Sequence, residues 1–231
     1  MNLSTIRLIL STAKSSLATT TEIPCYTGYY MGDSVVTTDT YKVCGINVPM
    51  MKTPVLVAPE ALELLDVFTD EHIQVFSYGN RIKFVTPSCA VFGNLMDSIQ
   101  DFQIEEIGAL LNEEFASYCK LSKQELVQLL DRLALFVSAY DKNGIYLTFT
   151  ADGMQVESKQ ANSVELLHYK ESVNFKPFTC CIDIEMFHSQ VKSNVGDSVT
   201  LHYGEENAVK ISDGNVTEII ALLEDDRVTA D

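Results

Sequence analysis

At 231 residues, 46% apolar and 21% charged, the chain has the composition of an ordered globular protein, long enough for one large domain or two of about 115 residues. Its 32 acids against 16 bases give a net charge of −16, the reverse of what a protein needs when its affinity comes from neutralising phosphates. Either the partner is not nucleic acid, or nucleic acid is held by geometry with only a local basic strip.

The first predicted element opens at Leu3-Ser4, a helix with Leu3, Ile6, Leu10, Ala13 and Leu17 on one face. Arg7 and Lys14 lie within this apolar pattern instead of ahead of it, which argues against a signal peptide, and no apolar run reaches the roughly 18 residues that span a bilayer. Strand-like sequence follows from Tyr29 to Tyr41 and from Val43 to Val48. A second helix is expected over Pro59 to Phe68, with Ala61, Leu65 and Phe68 inward and Glu60, Glu63 and Asp66 outward. Two alternating strands then flank Tyr78-Gly79-Asn80, and a third follows Pro87-Ser88.

The stretch from Ser98 to Lys120 shows no clear alternation and is rich in Glu; it reads as an interdomain linker with one amphipathic turn, and places the domains at 1–118 and 119–231. Past it, Leu121-Ser122 opens a helix with Leu126, Leu129, Leu130, Leu133 and Val137 on one face, and Ser122 to Glu125 has capping-box spacing. Strands are expected over Ile145 to Phe149, Met154 to Ser158 and Val164 to Tyr169, and a fourth helix over Ile184 to Val195 with Ile184, Phe187 and Val191 on one face. From Val199 the pattern of Ile73 onward returns at an offset of about 126 residues, now turning at Tyr203-Gly204-Glu205 and breaking at Asp213-Gly214. Each half therefore reads helix, strands, helix, strands.

Two successive α+β domains, each with two helices packed on antiparallel sheet, resemble the subunit of a DNA sliding clamp. The likeness is clearest from Leu121 onward, in SKQELVQLLDRLALFVS, GIYLTFTADGMQVES and FTCCIDIEMFHSQVKSNVGDSVTLHYGEENAVKISDG, and KTPVLVAPEALELLDVF with IQVFSYGNRIKFVTP repeats its latter part in the first half. Clamps of cellular bacteria have three domains and an apolar tail, whereas this chain has two and ends Asp225-Asp226-Arg227-Val228-Thr229-Ala230-Asp231, so the resemblance is to the bacteriophage type, six domains closing a ring as a homotrimer. It implies a processivity factor without catalytic activity or cofactor. Such a ring encircles double-stranded DNA independently of sequence, is opened by a clamp loader, and tethers a DNA polymerase in the host cytoplasm. It also implies that the strand near Cys89 to Asp97 pairs with Val164 to Tyr169 of a neighbouring subunit. Encirclement lets the protein slide without tight phosphate contacts, which makes an acidic exterior compatible with DNA as partner. The alternative is a clamp-like decoy that binds replication factors without encircling DNA.

Within that reading the candidate DNA-facing bases are Arg7, Lys14, Lys123, Arg132 and Lys192, against the plainer reading of solvated helix edges. Ile104, Ile107 and Leu110 of the linker, with Ile219, Leu222 and Leu223 near the C-terminus, are the candidate pocket for partner peptides, rimmed by Glu105, Glu106, Glu224 and Asp225; core packing is the plain reading for each. Neither catalysis nor a metal is expected. His72, His168, His188 and His202 are scattered, and Cys25, Cys44, Cys89, Cys119, Cys180 and Cys181 form no C-x-x-C pair and read as small residues of a reducing compartment. Adjacent Cys180 and Cys181 point to opposite faces of a strand, poorly placed to bond to each other. Phosphate-loop, nucleophile-elbow and zinc-helix motifs do not occur.

Overall fold

In the computed structural model, which describes residues 2–136, 144–158, 164–204 and 207–224, two uninterrupted stretches of chain each build a core, Met1–Asn112 and Glu113–Asp231. The Asp66 side chain, Val137, Glu205 and residues 225–231, all named above, lie outside the described residues.

In the first unit, α1 (Leu3–Ala13) starts where the Asn2 side-chain oxygen accepts the N–H of Ser4 at 3.1 Å, satisfying one of the unpaired donors of a helix start. It buries Leu3, Ile6, Ile9, Thr12 and Ala13. The expected face differed: Leu10 is half-buried and Leu17 lies past the helix end. Consecutive apolar residues, Leu8-Ile9-Leu10, leave periodicity several choices of stripe, and packing selects the one through Ile9.

Strands β1 (Tyr29–Met31), β2 (Val35–Thr38), β3 (Lys42–Ile46) and β4 (Val55–Val57) form an antiparallel run in the order β3-β2-β1-β4. The buried Thr37 hydroxyl donates to the Ala13 carbonyl at 2.7 Å, tying β2 to an orphan carbonyl at the end of α1. Proline opens α2 (Pro59–Glu63), where its missing N–H costs nothing, and the helix tightens into a 3-10 turn over Leu64–Val67. Ala61, Leu65 and Phe68 are buried as the spacing predicts.

Strands β5 (Gln74–Tyr78), β6 (Arg81–Val85) and β7 (Ala90–Asn94) make a second sheet, with Gly79 at φ 57° in the two-residue turn of the first hairpin. Helix α2 lies close on β7 because Gly93 has no side chain; a Cβ there would stand 2.2 Å from Ala61 Cβ. The supposed linker is mostly ordered structure of this unit. A 3-10 turn (Asp97–Asp101) leads to α3 (Ile104–Leu111), between them Phe102 is buried and stacks on Tyr30 at 5.2 Å, and Ile107 is buried.

The second unit opens with β8 (Ser117–Ser122), buried and half-buried residues alternating along it. Cys119 is the middle of this strand, so the junction falls at Asn112–Glu113, ahead of the expected position. Ser122 ends β8 and caps α4 (Lys123–Leu133), accepting the N–H of Glu125 at 3.5 Å, and α4 buries Leu126, Leu129, Leu130 and Leu133. After it come β9 (Gly144–Phe149), β10 (Gly153–Ser158), β11 (Val164–His168), β12 (Glu171–Val173) and β13 (Phe178–Asp183). Asp183 caps α5 (Ile184–Ser193) by accepting from Met186 at 2.9 Å, and β14 (Ser198–Tyr203), β15 (Ala208–Asp213) and β16 (Val216–Ala221) complete the unit.

One sheet runs β11-β10-β9-β13 and the other β12-β8-β14-β15-β16, all antiparallel. Their core joins Leu129 and Leu130 of α4 and Phe187 and Val191 of α5 to Leu147, Phe149, Leu201 and Tyr203, the last pair of rings stacked at 3.8 Å. Cys180 and Cys181 are both buried, and neither forms a disulfide. The repeat is thus structural: helix and three strands, then strand, helix and three strands, in each unit. Among the described residues, β8 and β12 are the strands of the second unit without a counterpart in the first.

Candidate functional site

In each unit the two long-sequence helices are joined by an ion pair across their contact. In the first, Lys14, just past α1, lies 2.7 Å from Glu63 of α2, both side chains about half exposed. In the second, Asp131 of α4 lies 3.2 Å from Lys192 and 3.0 Å from His188 of α5. Burial pushes the His188 imidazole below its ordinary pKa, with Lys192 adding to the effect and Asp131 opposing it. The acidic face of α2 now has a physical account: Glu63 neutralises Lys14, and Glu60 sits in the first turn, where the helix dipole favours an acid.

The remaining candidate bases are placed differently. Arg132 reaches from α4 to β11 and forks onto the Glu165 carboxylate with both Nε and a terminal nitrogen. Lys123 donates from Nζ to the Lys192 carbonyl at 3.1 Å and to the Asn194 carbonyl, closing the C-terminal end of α5. Arg7 is exposed on α1, and no ion pair involves it among the described residues. Exposed pairs of this kind add little to stability, because water screens them. Spacing along the helices could not show these partners, which lie 49 residues away for Lys14 and 33 for Arg132.

The candidate apolar pocket residues fall in two groups. Ile104, Ile107 and Leu110 belong to α3 of the first unit, Ile107 buried, Ile104 half-buried and Leu110 exposed. In the second unit Ile219 is buried in β16, and Leu222 and Leu223 are half-buried, the latter bridged to Cys181. Of the acids expected at the rim, Glu105, Glu106 and Glu224 are exposed.

Two strands, one in each unit, lie at sheet edges. Among the described residues β7 pairs along its length only with β6, and β11 only with β10, so each offers a free row of N–H and C=O groups. Leu135 and Phe136, which follow α4, are exposed, as are Val164 and Leu166 on β11. Leu64 and Val67 are exposed on the turn after α2. Among the described residues no group of His, Cys, Asp or Glu side chains is arranged to hold a metal, and no helix is long and apolar enough to cross a membrane.

This arrangement is the DNA clamp fold, two units that repeat one plan of helices packed on antiparallel sheets. The chain superposes on the β subunit of DNA polymerase from Streptococcus pyogenes with a TM-score of 0.82 at 16% identity, covering 97% of this chain and 65% of that one. Against the DNA polymerase III β chain of Streptococcus pneumoniae the TM-score is 0.84 at 15% identity, covering 97% and 64%. Against the DNA polymerase sliding clamp of Bacillus subtilis it is 0.80 at 13% identity, covering 97% and 63%. The chain therefore spans a little under two thirds of the length of these structures. No protein-family model matches the sequence. No curated protein matches it either.

Proposed function

We propose that this chain is the subunit of a ring-shaped sliding clamp that encircles duplex DNA and tethers a replicative DNA polymerase, acting as a processivity factor without catalysis of its own. The observation that carries the reading is the likeness to polymerase β subunits over 97% of the chain, in a protein whose two units repeat one plan. In this proposal the assembly is a homotrimer of the phage type, closed head to tail where β7 of one subunit meets β11 of the next. Heterologous contacts that close make cyclic rings, and pairing these edges buries two free strand rows together with Val164 and Leu166. A clamp loader opens the ring in this reading. Arg7, with Lys14, Lys123, Arg132 and Lys192, forms the modestly positive lining, while α3 and the segment after β16 offer apolar side chains to polymerase and loader peptides.

The test is topological. The protein should run in solution at three times the 25.7 kDa chain mass, stay on nicked circular plasmid through gel filtration, and fall off when the plasmid is cut. A monomer, or equal retention on linear and circular DNA, would sink the proposal. One observation favours a second reading, a clamp-like decoy that binds replication factors without DNA: Lys14, Arg132 and Lys192 are paired with acids of their own unit. A monomer that binds polymerase peptides but is not retained on plasmid would support the decoy.

A further inference from the structure

The tyrosine that precedes the turn glycine meets opposite surroundings in the two units. Tyr203 is fully buried and stacks on Phe149 at 3.8 Å, whereas Tyr78 is 91% exposed. Alternation along the strands sets this: β6 turns Ile82 and Phe84 into the core of its unit, and so turns Arg81 and Lys83 to the other face, with their cross-strand partners. On that face Phe76, Lys83 and Phe92 stand in one row, the Lys83 ammonium 5.1 Å from the Phe92 ring centre, and Tyr78, Arg81 and Asn94 form the next.

This face combines open rings with positive charge. Phe76 and Phe92 keep 52% and 58% of their surface in water, less than Tyr78 but enough that no wall of protein encloses any of the three. The stretch from His72 to Met96 contains two bases, Arg81 and Lys83, and no acid, in a chain of 32 acids and 16 bases. Neither base is in an ion pair among the described residues. One acid does reach the sheet: Asp70 accepts from the Ser88 hydroxyl in the turn between β6 and β7, at the end away from Arg81.

We propose that this face of the β5-β6-β7 sheet binds single-stranded nucleic acid, bases stacking on Tyr78 and Phe92 and phosphates meeting Arg81 and Lys83. The open rings choose this occupant over an acidic peptide. An apolar anchor on a peptide gains its affinity by leaving water for an enclosed pocket, which these rings do not form, whereas a base has a flat π-face that stacks on an open ring. A duplex hides those faces in its own stack, so the nucleic acid must be single-stranded. A net charge of −16 repels polyanions from the molecule as a whole, so one is held only where bases stand without acids. The site uses side chains on a face and no backbone group of a strand edge, and it does not depend on the chain forming a ring.

Fluorescence anisotropy of a labelled twelve-nucleotide oligo-dT with the full-length protein tests it, with oligo-rU of the same length beside it to separate DNA from RNA. At least one of the two should bind saturably below about 100 μM protein, and two phosphate contacts give a slope of about −1.4 in log K against log salt. Phe92→Ala and Tyr78→Ala should each weaken binding roughly 5- to 150-fold, the range for a lost base stack, while Tyr78→Phe keeps the ring and should bind as the parent does. Both side chains are exposed, so these variants keep the fold. R81E/K83E should abolish binding. Absence of binding by both oligonucleotides overturns the proposal, as does parent-like binding by Phe92→Ala or by R81E/K83E. So does displacement of the labelled oligonucleotide by a blocked peptide of twelve glutamates as readily as by unlabelled oligo-dT, which would give the face to an acidic segment of a protein.

Discussion

Lys123 sits where two roles meet, on the DNA-facing flank the sequence proposes for α4 and against the last carbonyls of α5. Hydrogen bonds to a charged group contribute about 1.5 to 3 kcal/mol, so Lys123→Ala should lower the unfolding free energy by roughly that amount, measured by urea denaturation. Arg7→Ala, at an exposed position, should change stability by under about 0.5 kcal/mol, while plasmid retention at moderate salt falls. His202 gives a pH-dependent case. Its ring accepts or donates a 2.8 Å bond with Ser212, and burial, then the cross-strand Lys210, holds its pKa below the ordinary 6.5. The folded state therefore prefers the neutral ring while the unfolded chain protonates it near pH 6.5. This contribution to stability is fully present above pH 6.5 and is lost as pH falls through the lower folded pKa. His202→Gln keeps a partner for Ser212 but cannot charge, so melting curves between pH 7.5 and 5 should decline less steeply for the variant than for the parent.

At the scale of elements, the contact of α2 with β7 depends on two small residues facing each other. Gly93→Ala forces its Cβ into Ala61 and should cost about 1 to 3 kcal/mol by chemical denaturation, with Ala61→Gly in the same chain restoring part of the loss. The four long-period helices were readable because their apolar residues return every three or four positions under strong start signals, as Ser122 with Glu125 and Pro59 show. Strand β8 was not. Its inward positions are Ser117, Cys119 and Leu121, two of them too weakly apolar to stand out, although all three are fully buried. Helix α3 is eight residues long with acids at Glu105 and Glu106, too short for its period to separate it from a linker. The candidate site was less legible than the fold for a related reason. Sequence shows which bases share a helix flank, but the acids that meet them arrive from other elements, so their pairing is a property of the packed unit.

For the whole molecule the dominant physical term beyond packing is the net charge of −16, which loads the folded state with self-repulsion. Raising ionic strength from about 0.01 M to 0.1 M shortens the screening length from about 30 Å to 10 Å, so the melting temperature should rise over that range at pH 7.5. A fall would mean that favourable pairs such as Lys14–Glu63 and Asp131–Lys192 outweigh the repulsion. The repeat was legible at this scale from the order of helices, strands and breaks in the two halves, with Tyr78-Gly79 and Tyr203-Gly204 marking the matching turns even where little else is shared.

Each unit is cut from one continuous stretch of chain, and that ordering has a consequence during synthesis. The ribosome finishes the first 112 residues while the next 119 are still to be added, an interval of roughly 6 to 24 s at about 5 to 20 residues per second. The nascent first unit can fold in that time, and it does so with the aromatic rings of Phe76, Tyr78 and Phe92 exposed to water.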